Sequence, residues 1–229
     1  MPASPFDIIA FDLDGTLADT APDIAAGLNR MLADFGWPPL DPTTIKPMIG
    51  DGARNLLRKV LAATGEASDA LVEQAYPVYL DHYAADICTG TIRYPGVERA
   101  LDGLAAGGVR LAICTNKAER ITGLLLDALG WTGRFAAVVG GDTLAVRKPD
   151  PRPLLETIAR AGGGRAAYVG DSIFDAETAR AAGLPFVAVS FGFSDRPVSA
   201  LGADSVIDRF EELVPALDRL GSRLSPDAR

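Results

Sequence analysis

Two carboxylates lie two residues apart in Asp12-Leu13-Asp14-Gly15-Thr16, directly after the apolar run Ile8-Ile9-Ala10-Phe11. A short apolar run bounded by turn residues reads as a buried strand. Gly15 then supplies the backbone freedom to turn sharply out of a sheet. Residues i and i+2 of an extended chain point to the same side, so Asp12 and Asp14 can converge on one point. Two carboxylates forced together are unfavourable without a cation or a shared proton, and that cost points to chemistry. A turn carrying two solvated aspartates is the alternative, and the rest of the chain decides between them.

Three further polar groups follow apolar runs. Thr115-Asn116-Lys117 follows the run at 109–114, Arg147-Lys148-Pro149-Asp150-Pro151 comes after the run at 136–140, and Gly170-Asp171-Ser172-Ile173-Phe174-Asp175 closes the run at 166–169. Each has a plain structural reading. Thr115 and Asn116 suit a helix cap, Lys148 can be a solvated lysine before a proline-started helix, and Ser172 with Asp175 makes a capping box. Jointly, those readings would align Asp12, Asp14, Thr115, Lys148, Asp171 and Asp175 on one sheet edge by accident. The carboxyl ends of strands are where open α/β sheets place ligands. Cys114 and Arg120 also fit a C-x5-R phosphate loop, but Glu119 would repel the anion and no histidine precedes the cysteine. Cys114 therefore reads as a buried strand residue.

The elements that must position these residues fall into two patterns. Thr20-Ala21-Pro22-Asp23 opens a helix with proline in its first turn, and Ile24, Leu28, Met31, Leu32 and Phe35 share one face of it. Pro38, Pro39, Asp41 and Pro42 read as a loop. Asp51-Gly52 opens a second helix, and Ser68 caps a third that Pro77 should kink or bound. Residues 20 to 88 are thus helical, without strands. From Tyr94-Pro95-Gly96 onward, strands at 109–114, 136–140, 166–169, 186–190 and 205–207 alternate with helices, the pattern of a parallel sheet covered on both faces. The expected class is α/β: a Rossmann-like parallel sheet core formed by 1–19 and 90–229, with a small α-helical cap domain inserted at 20–89. The tail from Ser222 is polar and expected to fray.

Composition narrows the classes. The chain has 229 residues, 48% of them hydrophobic, and a formal charge of −8. No apolar run approaches the length of a membrane span, and no signal peptide is legible at the start. Cys88 and Cys114 make no disulfide framework, so a cytoplasmic setting is expected. The negative charge argues against nucleic acid as a partner, while a local cluster of lysine and metal can still hold a phosphate. His82 is the single histidine.

Taken together, D-x-D-G-T at Asp12, Thr115, Lys148 and G-D-x-x-x-D at Gly170 resemble the motifs of the haloacid dehalogenase-like phosphohydrolase superfamily, in order and on the expected elements. Ala21-Pro22-Asp23, Ile49-Gly50-Asp51-Gly52-Ala53, Tyr94-Pro95-Gly96-Val97 and Thr115-Asn116-Lys117 look like the phosphoglycolate phosphatase family within it. The resemblance implies that Asp12 is the nucleophile forming an aspartyl-phosphate, and that Asp14 is the general acid and base. Thr115, the Asn116 amide and Lys148 would hold the phosphate. Mg²⁺ would sit on Asp12, Asp14 (through its main-chain carbonyl) and Asp171, with Ser172 and Asp175 behind. A cation is needed, because a carboxylate about 4 Å from a phosphate dianion is repelled by roughly 8 kcal/mol at an effective dielectric of 20. The implied substrate is a small phosphorylated metabolite, 2-phosphoglycolate first, with another sugar phosphate or a phosphomutase reaction as alternatives. At the cap, Gly52 can present a backbone amide to a substrate carboxylate. Arg54 and Lys117 read equally as substrate contacts or as solvated cations, and the oligomeric state is open.

Overall fold

The computed structural model describes residues 4–194 and 196–224. Within them, six strands form one sheet: β1 (Ile8–Phe11), β4 (Arg110–Cys114), β5 (Ala137–Val139), β6 (Ala166–Gly170), β7 (Phe186–Val189) and β8 (Ser205–Ile207). Their order is β5-β4-β1-β6-β7-β8, and every pairing is parallel. Ile8 to Phe11 is flanked on both sides by hydrogen-bonded strands, which makes β1 a central strand. Strand side chains alternate between faces. Ile9 and Phe11 join one apolar cluster with Leu111, Ile113, Val169 and Val187, while Ile8 and Ala10 join the opposite one with Ala112, Tyr168 and Ala188.

Helices α5 (Val97–Ala106), α6 (Glu119–Ala128), α7 (Arg152–Arg160), α8 (Ile173–Ala182) and α9 (Leu213–Leu224) link or follow these strands. The first cluster includes Leu101, Leu104 and Leu125 with Leu213 and Leu217, which places α5, α6 and α9 on that face. Leu154 of α7 and Ala176 and Ala179 of α8 cover the other. Strand and helix boundaries fall within a few residues of those expected. The exception at the end is Ser222, which lies inside α9; residues 225–229, the rest of the expected tail, lie outside the described residues.

Between β1 and α5 the chain builds α1 (Ala21–Asp34), α2 (Pro42–Ile45), α3 (Ala53–Thr64) and α4 (Asp69–Ala85). They bury Leu28, Met31, Leu57, Val60, Leu61, Val72 and Tyr79 in a third apolar cluster, which Ala118 and Ile121 join from the sheet side. Gly65, in the left-handed conformation, closes α3, and the Ser68 hydroxyl caps α4. Two features differ from expectation, and a third settles an alternative. Pro42 starts α2, with Asp41 accepting from the Thr43 N–H as its cap, so the proline-rich stretch is not all loop. Pro77 sits inside α4 rather than bounding it. A two-stranded antiparallel ribbon, β2 (Ala18–Asp19) with β3 (Ile92–Arg93), joins the chain's exit to its return. Among the described residues, no helix is long and apolar enough to cross a membrane.

Candidate active site

Asp12 follows β1 directly, and its N–H donates to the Val169 carbonyl, which extends the sheet ladder by one residue. Asp12, Lys148, Asp171 and Asp175 are all buried, with Asp175 at 0% exposure. Lys148 Nζ lies 2.6 Å from Asp175 Oδ1 and 2.9 Å from Asp12 Oδ1. It also donates to the Tyr168 hydroxyl at 2.9 Å. The Asp12 contact is an ion pair without hydrogen-bond alignment, and Asp12 Oδ1 is left buried with no hydrogen bond. Asp171 accepts from the Thr16 hydroxyl at 3.0 Å and from the Phe193 N–H at 2.7 Å. Asp175 Oδ2 accepts from the Ser172 hydroxyl and N–H, so the capping box read from sequence is present and also fixes the acid behind Lys148. Gly15 must be glycine here: its φ is +81°, and a Cβ would strike Asp171 and the Phe193 ring.

Burial sets the protonation balance. It pushes the Asp12 carboxyl up to about 6 against the opposing charge of Lys148, with Asp175 and Asp14 adding to the rise. Burial, then Asp175 and Asp12, raise Asp171 well above the carboxylate range. Asp175 feels the same burial, but the Lys148 charge and hydrogen bonds from Lys148, Ser172 and Tyr168 outweigh it and hold the acid low. Burial opposes the charged form of Lys148, yet Asp12 and Asp175 keep it firmly protonated.

Asp14 belongs to a second cluster. Its two oxygens accept from Lys117 Nζ at 2.9 and 3.0 Å, and Oδ1 also accepts from the Thr20 hydroxyl at 2.7 Å. Lys117 donates as well to the Tyr83 hydroxyl, at 2.7 Å, and its side chain is 5% exposed. Asp12 and Asp14 thus reach one cleft, as the i, i+2 spacing implies, but each is held by its own lysine. That cleft, about 40 Å³, is lined at its polar end by Asp12, Asp14, Thr115, Asn116 and Lys117, and otherwise by Ile24, Ile49, Leu56, Tyr79, Tyr83 and Ile121. A larger cavity of about 310 Å³ lies toward Asp171, with Asp51, Lys59, Phe174 and Arg196 in its walls.

Other expected residues are placed as follows. Thr115 lines the cleft, and its hydroxyl accepts from the Lys117 N–H. The Asn116 side chain binds both the N–H and the carbonyl of Lys148 and donates to the Gly50 carbonyl, so what it offers an anion comes from its main chain. Gly52 lines the cleft at φ +77°, with the Asn116 carbonyl 3.3 Å from where a Cβ would stand. Arg54 does not line either cavity; it pairs with Glu73 at 2.7 Å and stacks on Tyr76. His82 pairs with Asp34 away from the cleft. Cys114 is buried, with its thiol pushed up to about 12 by burial, which suits a core residue and not a thiolate nucleophile. Sequence reading did not single out Thr16, Thr20, Tyr83 or Tyr168. Thr20 gave a signal in hindsight: it stands at the helix-cap position, yet its hydroxyl serves Asp14 instead of the helix.

The donor set fits a hard divalent cation. Asp12, Asp171 and Asp175 bring one carboxylate oxygen each within 4.8 Å of one another. All are oxygen donors, one of them without a hydrogen bond, and Lys148 alone does not offset three buried acids. A cation there would neutralise charge that the protein leaves uncompensated.

Comparison with known proteins agrees with this geometry. A family model described as haloacid dehalogenase-like hydrolase matches residues 9–189. A phosphoglycolate phosphatase of Agrobacterium fabrum is 43% identical over 219 residues, covering 94% of this chain and 93% of that protein. One from Mesorhizobium japonicum is 45% identical over 213 residues, covering 92% and 94%. A crystal structure described as a predicted phosphoglycolate phosphatase from Haemophilus somnus superposes with a TM-score of 0.86 at 28% identity, covering 93% of this chain and 98% of that one.

Proposed function

This chain belongs to the haloacid dehalogenase-like hydrolase family, is a phosphoric monoester hydrolase, and, we propose, converts 2-phosphoglycolate to glycolate and inorganic phosphate. The substrate is then a small phosphorylated metabolite of the cytoplasm. The relatives carry this reading: phosphoglycolate phosphatases 43% and 45% identical to this chain span nearly all of it.

Asp12 is the nucleophile: a carboxylate oxygen bonds to phosphorus as the ester P–O bond breaks, giving an aspartyl-phosphate. Asp14 gives its proton to the departing glycolate oxygen. It then takes a proton from the water that attacks phosphorus and releases phosphate from Asp12. Lys148 holds a positive charge against the nucleophile, with Tyr168 and Asp175 fixing its position. Thr115 and the Asn116 main chain flank the phosphate. Asp12, Asp171 and the Asp14 main-chain carbonyl would hold a Mg²⁺ ion, with Asp175 and Ser172 behind them, and the ion would supply charge neutralisation for the anionic substrate. The proposed division of the chain is a sheet core, 1–19 and 90–229, carrying these groups, and a helical cap, 20–89, closing over them.

The larger cavity beside Asp171 favours a second reading, a sugar phosphate. A panel of kcat/KM values over 2-phosphoglycolate, pentose and hexose phosphates with Mg²⁺ separates the two. The expected result is a preference of at least tenfold for 2-phosphoglycolate; a tenfold preference for any sugar phosphate overturns it. Return of label to glucose 6-phosphate from glucose 1-phosphate would mark a mutase.

A further inference from the structure

Building on the substrate reading above, we propose that Lys117 and Tyr83 together form the seat for the leaving group's carboxylate, making the chain selective for phosphate esters of short hydroxy acids. The cleft has two buried cations near it with different surroundings. Lys148 is spent on Asp12 and Asp175, the acids beside the phosphate position. Lys117 faces the cleft itself, at 8% exposure, and its three N–H donors reach Asp14 Oδ1, Asp14 Oδ2 and the Tyr83 hydroxyl. Asp14 is the one anion that compensates this buried ammonium, and it takes two of the three N–H donors, so one of them can pass to an entering carboxylate without leaving Asp14 unpaired.

Tyr83 supplies the complementary group. Its ring is buried in α4 and its hydroxyl accepts from Lys117. Among the described residues, no acceptor takes the Tyr83 hydroxyl proton, so it is a donor without an internal partner at the cleft wall. Apart from the segments at 50–53 and 115–116 and the Tyr79 hydroxyl, the remaining wall, Ile24, Ile49, Leu56 and Ile121, is apolar and offers an anion little. A carboxylate entering here accepts the Tyr83 proton and one Lys117 N–H now given to Asp14. Asp14 is then held by fewer bonds at the moment it must hand a proton to the leaving oxygen. Arg54, the other cation considered from sequence, lines neither cavity and cannot serve.

The test compares 2-phosphoglycolate with ethyl phosphate, which keeps the phosphate and the two-carbon leaving group but lacks the carboxylate. Wild type, Lys117→Met and Tyr83→Phe are assayed with Mg²⁺, and folding is checked by circular dichroism. Wild type should prefer 2-phosphoglycolate by tenfold or more in kcat/KM. Lys117→Met should bring that ratio close to one and Tyr83→Phe should lower it at least fivefold, with the Tyr83→Phe loss appearing in KM for 2-phosphoglycolate. Ratios within threefold of wild type in both variants overturn the assignment and leave the substrate reading standing. If Lys117→Met does not fold, Tyr83→Phe decides by the same limit. A wild type without preference for 2-phosphoglycolate overturns the substrate reading itself, and the assignment with it, before any variant is made.

Discussion

Asp171 is the acid with the least internal compensation. Thr16 and Phe193 give it two neutral donors, while Lys148 pairs with Asp12 and Asp175 instead. Its charge is therefore tolerable mainly when an external cation shares it. In wild type, Mg²⁺ at a hundred times its dissociation constant should add about 2.7 kcal/mol of stability, or roughly 5–10 °C in Tm for a chain of this size. Asp171→Asn keeps the shape and removes the charge, so the metal-free protein should be no less stable than wild type, and its Mg²⁺-induced shift should vanish. Thermal melts with and without Mg²⁺ check this; equal shifts in both proteins would remove Asp171 from the cation site. Asp12, Asp14, Lys148, Asp171 and Asp175 were all legible in sequence, because each follows a short apolar run and the ends of such runs must meet at one sheet edge. The pairing of Asp14 with Lys117 and Tyr83 was not. Helical phase marks Tyr83 as buried, but nothing local to Tyr83 says which strand end its hydroxyl will meet.

At the scale of elements, the ribbon of β2 and β3 and the start of α1 form the joint between the sheet and the inserted helices. Asp23 stands in the first turn of α1, where an acid usually faces solvent. It is instead buried, and it accepts from the Gly90 and Thr91 N–H groups at 2.7 Å and from the Thr91 hydroxyl at 2.6 Å. One carboxylate thereby ties the chain where it leaves the sheet to the chain where it returns. Asp23→Ala strands two N–H groups that cost about 1–3 kcal/mol each when unsatisfied. A loss of about 3 kcal/mol in urea unfolding is expected, and a loss under 1 kcal/mol would show that water replaces the clasp. Two-residue strands carry no period, which is why the ribbon escaped a reading based on alternation. The alternation of strand and helix was legible for the sheet, yet the order β5-β4-β1-β6-β7-β8 was not, since pattern fixes element type and not neighbours. Pro77 lies inside α4, one of the two places its sequence allowed, and burial of Val72, Ala75, Tyr79 and Tyr83 on either side of it outweighs the local cost of a proline.

For the molecule as a whole, the cleft is a shared boundary. Asp12, Asp14, Thr115 and Lys117 come from the sheet's edge, while Ile24, Gly52, Leu56, Tyr79 and Tyr83 come from the inserted helices. The helices keep a separate apolar cluster that reaches the sheet unit through Ala118 and Ile121. Across the same boundary Asn116 donates to the Gly50 carbonyl and Lys117 to the Tyr83 hydroxyl, so opening the cleft would break a few polar contacts rather than either core. Lys117 and Tyr83 are nearly closed to solvent, so opening at this boundary would give a substrate access to them. With an overall charge of −8, the lysines at the cleft supply local positive charge that an anionic substrate needs. Binding should therefore favour the closed arrangement and suppress opening at the joint. Amide hydrogen exchange with Mg²⁺ and orthovanadate, a phosphate mimic, measures this directly. Exchange should slow at residues 49–53 and 88–93 and along Tyr79 to Tyr83, while β8 and α9, remote from the cleft, stay unchanged. Slowing confined to residues 12–16 and 171–175 would mean that ligand binds without closure, and that the helices contribute shape but no motion.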